Sequence, residues 1–213
     1  MPIEWFRCKT WTSADREQFF ARLRPTRTVE KKAQYLRVQA VELLTTGTAE
    51  GAEAARELVE VLLKDYAIPF ELAQAYLIKG DCLERAGDLP GAIAVYRQSL
   101  EAQRVYPNVR TTAPLAFGWL VATHPFPEHY EEPLRVLDEF EDSAFPLSRY
   151  RTYGARALIN DALGRDSAAK KWAALALDAA SAQHSGFRYH PRLGLVENPD
   201  ERIRARLREL AGI

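Results

Sequence analysis

The chain has 213 residues, 47% of them hydrophobic, and its formal net charge at pH 7 is zero. This length allows one domain or a short array of repeats, and the apolar fraction is too high for a disordered chain. The balanced charge indicates no overall preference for nucleic acid or for a membrane surface. No apolar run of about 18 residues is present, and the first eleven residues lack the apolar core of a signal peptide. We therefore expect neither nucleic acid nor a membrane as a partner.

The two cysteines, Cys8 and Cys82, lie far apart and lack the close spacing of metal ligands. This usage is typical of the reducing cytoplasm, where we place the protein, and it indicates no metal or other cofactor. Cys82 adjoins Leu83 on a predicted helix, which favours an inert core thiol over a nucleophile.

Residues 1–25 are predicted to form an N-terminal cap on the first repeat described below. Thr12 begins a helix, and Asp15 stands where it can complete a capping box. The aromatic residues of this segment are Trp5, Phe6, Trp11, Phe19 and Phe20. An alternative is an exposed aromatic anchor for a membrane or a partner. The segment also resembles the opening of uncharacterised bacterial helical-repeat proteins, a resemblance that implies no activity.

The clearest local pattern is a helical hairpin over residues 75–100. Gly87 suits the left-handed end of the first helix, because it has no Cβ. Asp88 is a natural N-cap for the second helix, and Pro90 fits its first turn. The small residue Gly80 would allow the two helices to pack closely.

This hairpin resembles the tetratricopeptide repeat, in which large and small residues recur at fixed offsets over a helix–turn–helix. The matching positions are Tyr76, Gly80, Leu83, Gly87, Ala92, Tyr96 and Ser99. Lys79 and Ser99 depart from the leucine and alanine that the family prefers. The closing proline also comes late, at Pro107.

Similar patterns recur along the chain. The small positions Ala40, Gly80, Gly118 and Ala157 lie 38 to 40 residues apart, which is longer than the family's usual spacing. The predicted repeats are 32–68, 70–107, 112–146 and 148–183. Gly47 and Gly164 correspond to the turn glycine of the clearest hairpin. The third repeat is the least regular, because prolines interrupt its turn.

The last segment, 184–213, is predicted to be a loop followed by a capping helix. The loop is rich in aromatic and basic residues over His184–Val196. Asn198 is the predicted N-cap of the helix, with Pro199 at its first position and Glu201 closing a capping box.

Residues with catalytic potential are few. His124 and His129 are separated by prolines and cannot form the i, i+4 pair of a zinc hydrolase. His184 and His190 lie in the C-terminal loop, and an enzyme with its site there is one alternative to a binding protein. We assign no catalytic and no metal-binding residue.

Charge is unevenly placed despite the zero total. Basic residues dominate 16–37, and acidic residues dominate 128–142. Two solvated faces are the simpler interpretation. The other is a polar molecule whose ends steer partners or further copies of itself, which leaves a homo-oligomer open.

The predicted fold is all-α, a right-handed α-solenoid of about four helix-turn-helix repeats with capping helices at both ends. The resemblance implies a non-catalytic scaffold that binds a protein or peptide in a concave groove lined by the first helix of each repeat. A regulatory repeat domain that senses a small peptide or ligand is a further alternative.

The family's groove positions, counted from the small residues, are Gln34, Arg37, Val41, Gln74, Leu77, Asp81, Thr112, Leu115, Trp119, Arg151 and Leu158. The expected partner-binding set is Gln34, Arg37, Gln74, Leu77, Asp81, Trp119 and Arg151. Arg37 is followed four residues later by Val41, not by the asparagine of the family's carboxylate clamp. Trp119 is compatible with either groove or core. The loop over Phe187–Arg192 is the second candidate surface.

Overall fold

The computed structural model of the protein describes residues 4–139 and 144–213. These residues contain ten α-helices and one short 3₁₀-helix, and no β-strand occurs among them. The all-α class predicted from the sequence is therefore confirmed. The helices belong to two compact units, residues 1–113 and 114–213.

Five helices lie in the first unit: α1 (Ser13–Leu23), α2 (Val29–Leu44), α3 (Ala49–Asp65), α4 (Pro69–Arg85) and α5 (Leu89–Val105). The remaining helices are α6 (Ala113–Thr123), the 3₁₀-helix Pro127–His129, α7 (Glu131–Glu139), α8 (Pro146–Ala162), α9 (Asp166–Ser181) and α10 (Glu201–Ala211). None of the helices in these described ranges is long and apolar enough to cross a lipid bilayer.

Three hairpins turn at the predicted glycines. Gly47, Gly87 and Gly164 all have positive φ angles, of 75°, 82° and 69°. Since this left-handed conformation is costly for residues with a Cβ, glycine fixes where each first helix ends. The turns α2–α3, α4–α5 and α8–α9 are thus where the sequence predicts them.

The predicted N-caps of the first unit are confirmed. Thr12 and Asp15 form a reciprocal capping box at the start of α1. Asp88 accepts a hydrogen bond from the backbone N–H of Gly91 at 3.0 Å. Thr48, which the sequence predicts as the N-cap corresponding to Asp88 in the first repeat, caps α3 in the same way.

One predicted helix start is wrong. The N-cap of α10 is Asp200, which accepts from the backbone N–H of Arg202 at 2.8 Å, and not Asn198. Asn198 has a positive φ of 49°, which differs from the extended backbone of an ordinary N-cap, and the helix starts after the proline. The first helix of the repeat predicted over 32–68 begins at Val29, because Thr28 caps it. Phe140, predicted to lie in the second helix of the third repeat, is outside the described residues.

The N-terminal segment packs against the core of the first unit, as predicted. Trp5, Trp11 and Phe20 contact a cluster that includes fully buried Leu36 and Leu58. Phe19 is itself 3% exposed. These contacts join the segment to the hairpin that follows it.

A buried glutamine fixes the path of this N-terminal segment. The side-chain amide of Gln39 donates to the carbonyl oxygen of Cys8 at 2.7 Å, and its oxygen accepts from the Cys8 N–H at 3.0 Å. Gln39 is fully buried, so both bonds satisfy polar groups that water cannot reach. The pairing was not predicted, because it joins residues 31 apart through a side chain.

The core of the second unit is built largely from alanine. Ala157, Ala173 and Ala176 are fully buried where α8 meets α9. Leu207 of α10 is also fully buried and closes this cluster. Small residues allow the helices to approach closely, and the larger side chains pack around them.

Candidate functional site

The predicted partner-binding residues of the first unit lie on α2 and α4, which contact each other. Gln34 is exposed and Gln74 is half-buried. Leu77 is 7% exposed, so it belongs mainly to the core, whereas Val41 is 37% exposed. This face therefore offers amide groups and one valine to a ligand.

Arg37 already has a carboxylate partner within the first unit. Its Nε donates to Glu71 Oε2 at 2.5 Å, and the Glu71 side chain is only 8% exposed. Removing one partner of such a pair leaves a buried charge unpaired, which is costly. A ligand carboxylate would have to compete with Glu71, so Arg37 is held mainly in a structural contact.

Asp81 also takes part in an internal network. The hydroxyl of fully buried Tyr96 lies 2.8 Å from Asp81 Oδ1 and 2.7 Å from Glu84 Oε2. Burial, followed by the charges of these two carboxylates, raises the pKa of the Tyr96 phenol far above its usual range. The tyrosine thus remains neutral and ties α5 to α4.

In the second unit the structure brings together two of the predicted residues, Trp119 and Arg151. The Arg151 guanidinium carbon lies 5.8 Å from the centroid of the Trp119 ring. Arg151 is exposed, and no carboxylate in the described ranges pairs with it. A cation above an indole ring is attracted to the π-face and keeps its N–H donors available.

Trp119 combines core packing with surface exposure. It is half-buried, its ring packs on Tyr150 at 5.9 Å between centroids, and it contacts the core of the second unit. A Cβ added at Gly154 would stand 3.1 Å from Trp119 Cζ3, so the glycine makes room for the indole. The ring is therefore fixed in position before any ligand arrives.

Tyr150, beneath this pair, carries an unsatisfied hydroxyl. The residue is 3% exposed, and its oxygen has no hydrogen-bond partner among the described residues. Burial raises the pKa of this phenol. An unpaired buried hydroxyl is destabilising, because no hydrogen bond offsets the loss of its hydration.

The other predicted groove positions are less available to a ligand. Leu115 is 6% exposed and Leu158 is half-buried against the core of the second unit. Thr112, at the end of the first unit, is exposed. The apolar positions of the predicted groove thus contribute mainly to folding, apart from Trp119 and the exposed Val41.

The two charged stretches differ in how far they are neutralised. In the basic stretch, Arg16 pairs with Glu57, but Arg22, Arg24 and Arg27 are exposed and pair with no carboxylate of the described residues. In the acidic stretch, Asp138 pairs with Arg156 and Glu131 with Arg165. Glu141 and Asp142 lie outside the described residues.

An open groove that was not predicted lies beside α3. Its volume is about 590 Å³, and its lining residues are Trp11, Ala49, Glu50, Glu53, Ala54 and Glu57. Glu57 pairs with Arg16 and Glu53 pairs with Arg56. Most of its negative charge is therefore neutralised within the protein. Glu50, Glu53 and Glu57 recur at helical spacing in the sequence, and this pattern could have indicated that they share one face of α3.

Cys82 is buried, whereas the two histidines of the C-terminal loop are exposed. Cys82 is 2% exposed, and burial raises the pKa of its thiol to about 12, which agrees with the predicted core role. His184 Nδ1 accepts from the backbone N–H of Gly186 at 2.9 Å, and both His184 and His190 are exposed. No group of three His, Cys, Asp or Glu side chains in those ranges could hold a metal ion.

Neither the family models nor the curated proteins nor the solved structures that were compared with this chain gave a match. The resemblance to tetratricopeptide repeats therefore stays a prediction from the sequence.

Proposed function

We propose that the protein is a non-catalytic scaffold that binds a protein or peptide segment through a groove of tetratricopeptide-like repeats. The proposed architecture is the right-handed solenoid of about four hairpins that the sequence resemblance implies. The glycine turns and capped helices described above are compatible with it. Both cysteines are free thiols, which fits the predicted cytoplasmic setting.

The single observation that carries the proposal is the contact between Trp119 and Arg151. Tryptophan and arginine are the residue types that most often dominate binding energy at protein interfaces. Trp119 is fixed by Tyr150, and Arg151 is exposed without an ion-pair partner in the described ranges. The pair can therefore receive a ligand without first breaking an ion pair among the described residues.

The chemistry of this pair suggests the kind of peptide. The guanidinium can hold a carboxylate with two parallel hydrogen bonds, and the exposed part of the indole can cover an apolar side chain. We therefore propose a segment in which an acidic side chain stands next to an apolar one.

The proposal is tested by selecting ligands from a displayed random-peptide library on the intact protein. Calorimetry should then show that Trp119→Ala and Arg151→Ala each weaken the selected peptides about tenfold or more. Lys171→Ala is the matched control, because Lys171 lies 5.4 Å from the ring of Trp172, outside the predicted set. Failure to select any peptide, or equal binding by all variants, would refute the proposed site.

A further inference from the structure

The loop between α9 and α10 exposes large apolar side chains close together. Tyr189 is 80% exposed, Leu193 50% and Phe187 41%. Single exposed apolar residues are common on protein surfaces, whereas neighbouring ones with polar flanks mark interaction sites. We call residues 184–196 the aromatic-basic loop.

Hydrogen bonds within the aromatic-basic loop hold it in a closed conformation. The Ser185 hydroxyl donates to the carbonyl oxygen of His190 at 2.7 Å and accepts from the Phe187 N–H at 3.1 Å. The Ser185 N–H donates to the carbonyl oxygen of Pro191 at 2.8 Å. Ser185 is only 8% exposed, so these three bonds lie inside the loop.

The loop is also attached to the start of α8. The rings of Phe145 and Phe187 stack with their centroids 5.4 Å apart. The Leu147 N–H donates to the carbonyl oxygen of Gly194 at 2.7 Å, and a Cβ at Gly194 would stand 2.7 Å from Phe145 Cδ1. A loop fixed at both ends loses little conformational entropy when it binds a partner.

The charge of the loop is uniformly basic. Residues 184–196 contain Arg188, Arg192 and two histidines, and they contain no aspartate or glutamate. The Arg188 guanidinium lies 5.4 Å from the Tyr189 ring centroid. Arg192 is 80% exposed in its side chain and pairs with Glu197 at 2.7 Å. This charge favours an acidic partner.

We propose that the aromatic-basic loop is a second docking surface, which binds an acidic protein segment that also carries an apolar side chain. Tyr189 and Arg188 form its centre, with Phe187 and Leu193 beside them. The proposal is independent of the Trp119–Arg151 contact and extends the proposed function by a separate binding surface.

The composition of the loop favours a protein partner over nucleic acid. Binding to nucleic acid depends on many cations that neutralise successive phosphates. The loop has two arginines, and one of them is already paired with Glu197. Three large apolar side chains next to arginine are instead typical of the core of a protein interface.

The test uses the full-length chain with Trp119→Ala and Arg151→Ala, so that the first proposed site cannot contribute. A displayed random-peptide library is selected on this double variant, and the affinity of the enriched peptides is measured by calorimetry. We expect acidic peptides with apolar residues, whose affinity falls about tenfold or more with Tyr189→Ser or Arg188→Ser added. Ser185→Ala should weaken binding by a smaller factor, because the side chains remain but the loop loses two hydrogen bonds.

Arg202→Ser is the matched control, since Arg202 is exposed on α10 outside the loop, and it should leave the affinity unchanged. Circular dichroism checks that each variant keeps its helices. The proposal is overturned if no acidic peptide is enriched, or if the enriched peptides bind the Tyr189→Ser variant equally well. Selective binding of single-stranded oligonucleotides by the loop, with no peptide selected, would also overturn it. Because the selection is made without Trp119 and Arg151, failure here leaves the first proposed site standing.

Discussion

The hairpins α4–α5 and α8–α9 share one sequence spacing but pack in two different ways. In α4–α5, Gly80 faces the ring of Tyr96, which fills the space that a Cβ would occupy. At the equivalent positions, 77 residues later, α8–α9 has Ala157 and Ala173, both fully buried. The small residues Gly80 and Ala157 thus mark where two helices meet. The residue opposite each one, Tyr96 or Ala173, determines which side chain fills the space between the helices.

The buried tyrosine hydroxyls of the two hairpins also differ, in whether they have hydrogen-bond partners. The hydroxyl of Tyr96 bonds to carboxylates of Asp81 and Glu84. Tyr150 of α8 is also buried, but its hydroxyl has no partner among the described residues. One tyrosine therefore joins two helices, and the other lies buried beneath the proposed binding residue Trp119 with an unsatisfied oxygen.

The largest expected effect is that of Gly80→Ala. Its Cβ would stand 2.4 Å from Tyr96 Cε1, far inside van der Waals contact, and the ring is fully buried. Alanine gains up to about 1 kcal/mol in helix propensity, but overpacking costs roughly 1–3 kcal/mol or more. We expect net destabilisation, measured as a lower midpoint in urea unfolding.

A double-mutant cycle sharpens this prediction. Gly80→Ala combined with Tyr96→Ala reproduces the pair of alanines found in α8–α9. We expect the double variant to lose less stability than the sum of the two single variants, because the added methyl group no longer meets a ring. Additive losses would contradict the packing described for Gly80.

The Tyr96→Phe substitution should have the next largest effect. It removes a hydroxyl bonded to two carboxylates, and hydrogen bonds to charged groups contribute about 1.5–3 kcal/mol. Since Asp81 and Glu84 are half-buried and can recover water, we expect a loss near the lower end of that range. Thermal and urea unfolding would both measure it, and an unchanged midpoint would show that the network is not stabilising.

Alkaline pH should weaken α4–α5 through two buried groups. Burial raises the pKa of Cys82 to about 12 and that of Tyr96 far above its usual range. A raised pKa in the folded state means that the stabilisation is complete below the unfolded pKa values, about 9 and 10, and is lost as the pH rises above them.

The measurement is urea unfolding at a series of pH values from about 8 upward, with the ionic strength held constant. The Cys82→Ala variant should lose less stability than the parent between pH 9 and 12, the range given by the pKa of Cys82. Identical pH profiles for the two proteins would contradict the assignment to Cys82.

The smallest expected effect is that of Tyr150→Phe. Because it removes a buried hydroxyl that lacks a partner, we expect stability to stay the same or rise by about 1 kcal/mol. Tyr150→Phe and Tyr96→Phe both remove one tyrosine hydroxyl, so the two hairpins can be compared directly. A loss for Tyr150→Phe as large as that for Tyr96→Phe would remove the distinction between them.

Local signals in the sequence predicted the turns and most helix starts. Gly87 and Asp88 act within a few residues of their own positions, so their roles can be read from neighbouring residues. Asn198 was misassigned because two residues near Pro199 could cap, and only the geometry shows that Asp200 does so.

Contacts between distant residues were much less predictable. The Arg37–Glu71 ion pair and the Gln39–Cys8 hydrogen bonds join residues more than 30 positions apart. No local pattern distinguishes an arginine that will pair internally from one that stays available, such as Arg151. The counted groove positions nevertheless included both Trp119 and Arg151, which the structure brings together.

The central claim is that Trp119 and Arg151 receive a peptide, and fluorine NMR of 5-fluorotryptophan-labelled protein tests it most directly. The chain has four tryptophans, and Trp119→Phe identifies the resonance of Trp119. Addition of a peptide selected on the intact protein should shift that resonance strongly and leave Trp172 nearly unchanged, and Arg151→Ala should abolish the shift at the same peptide concentration. A bound peptide that leaves the Trp119 resonance where it was would contradict the proposed site.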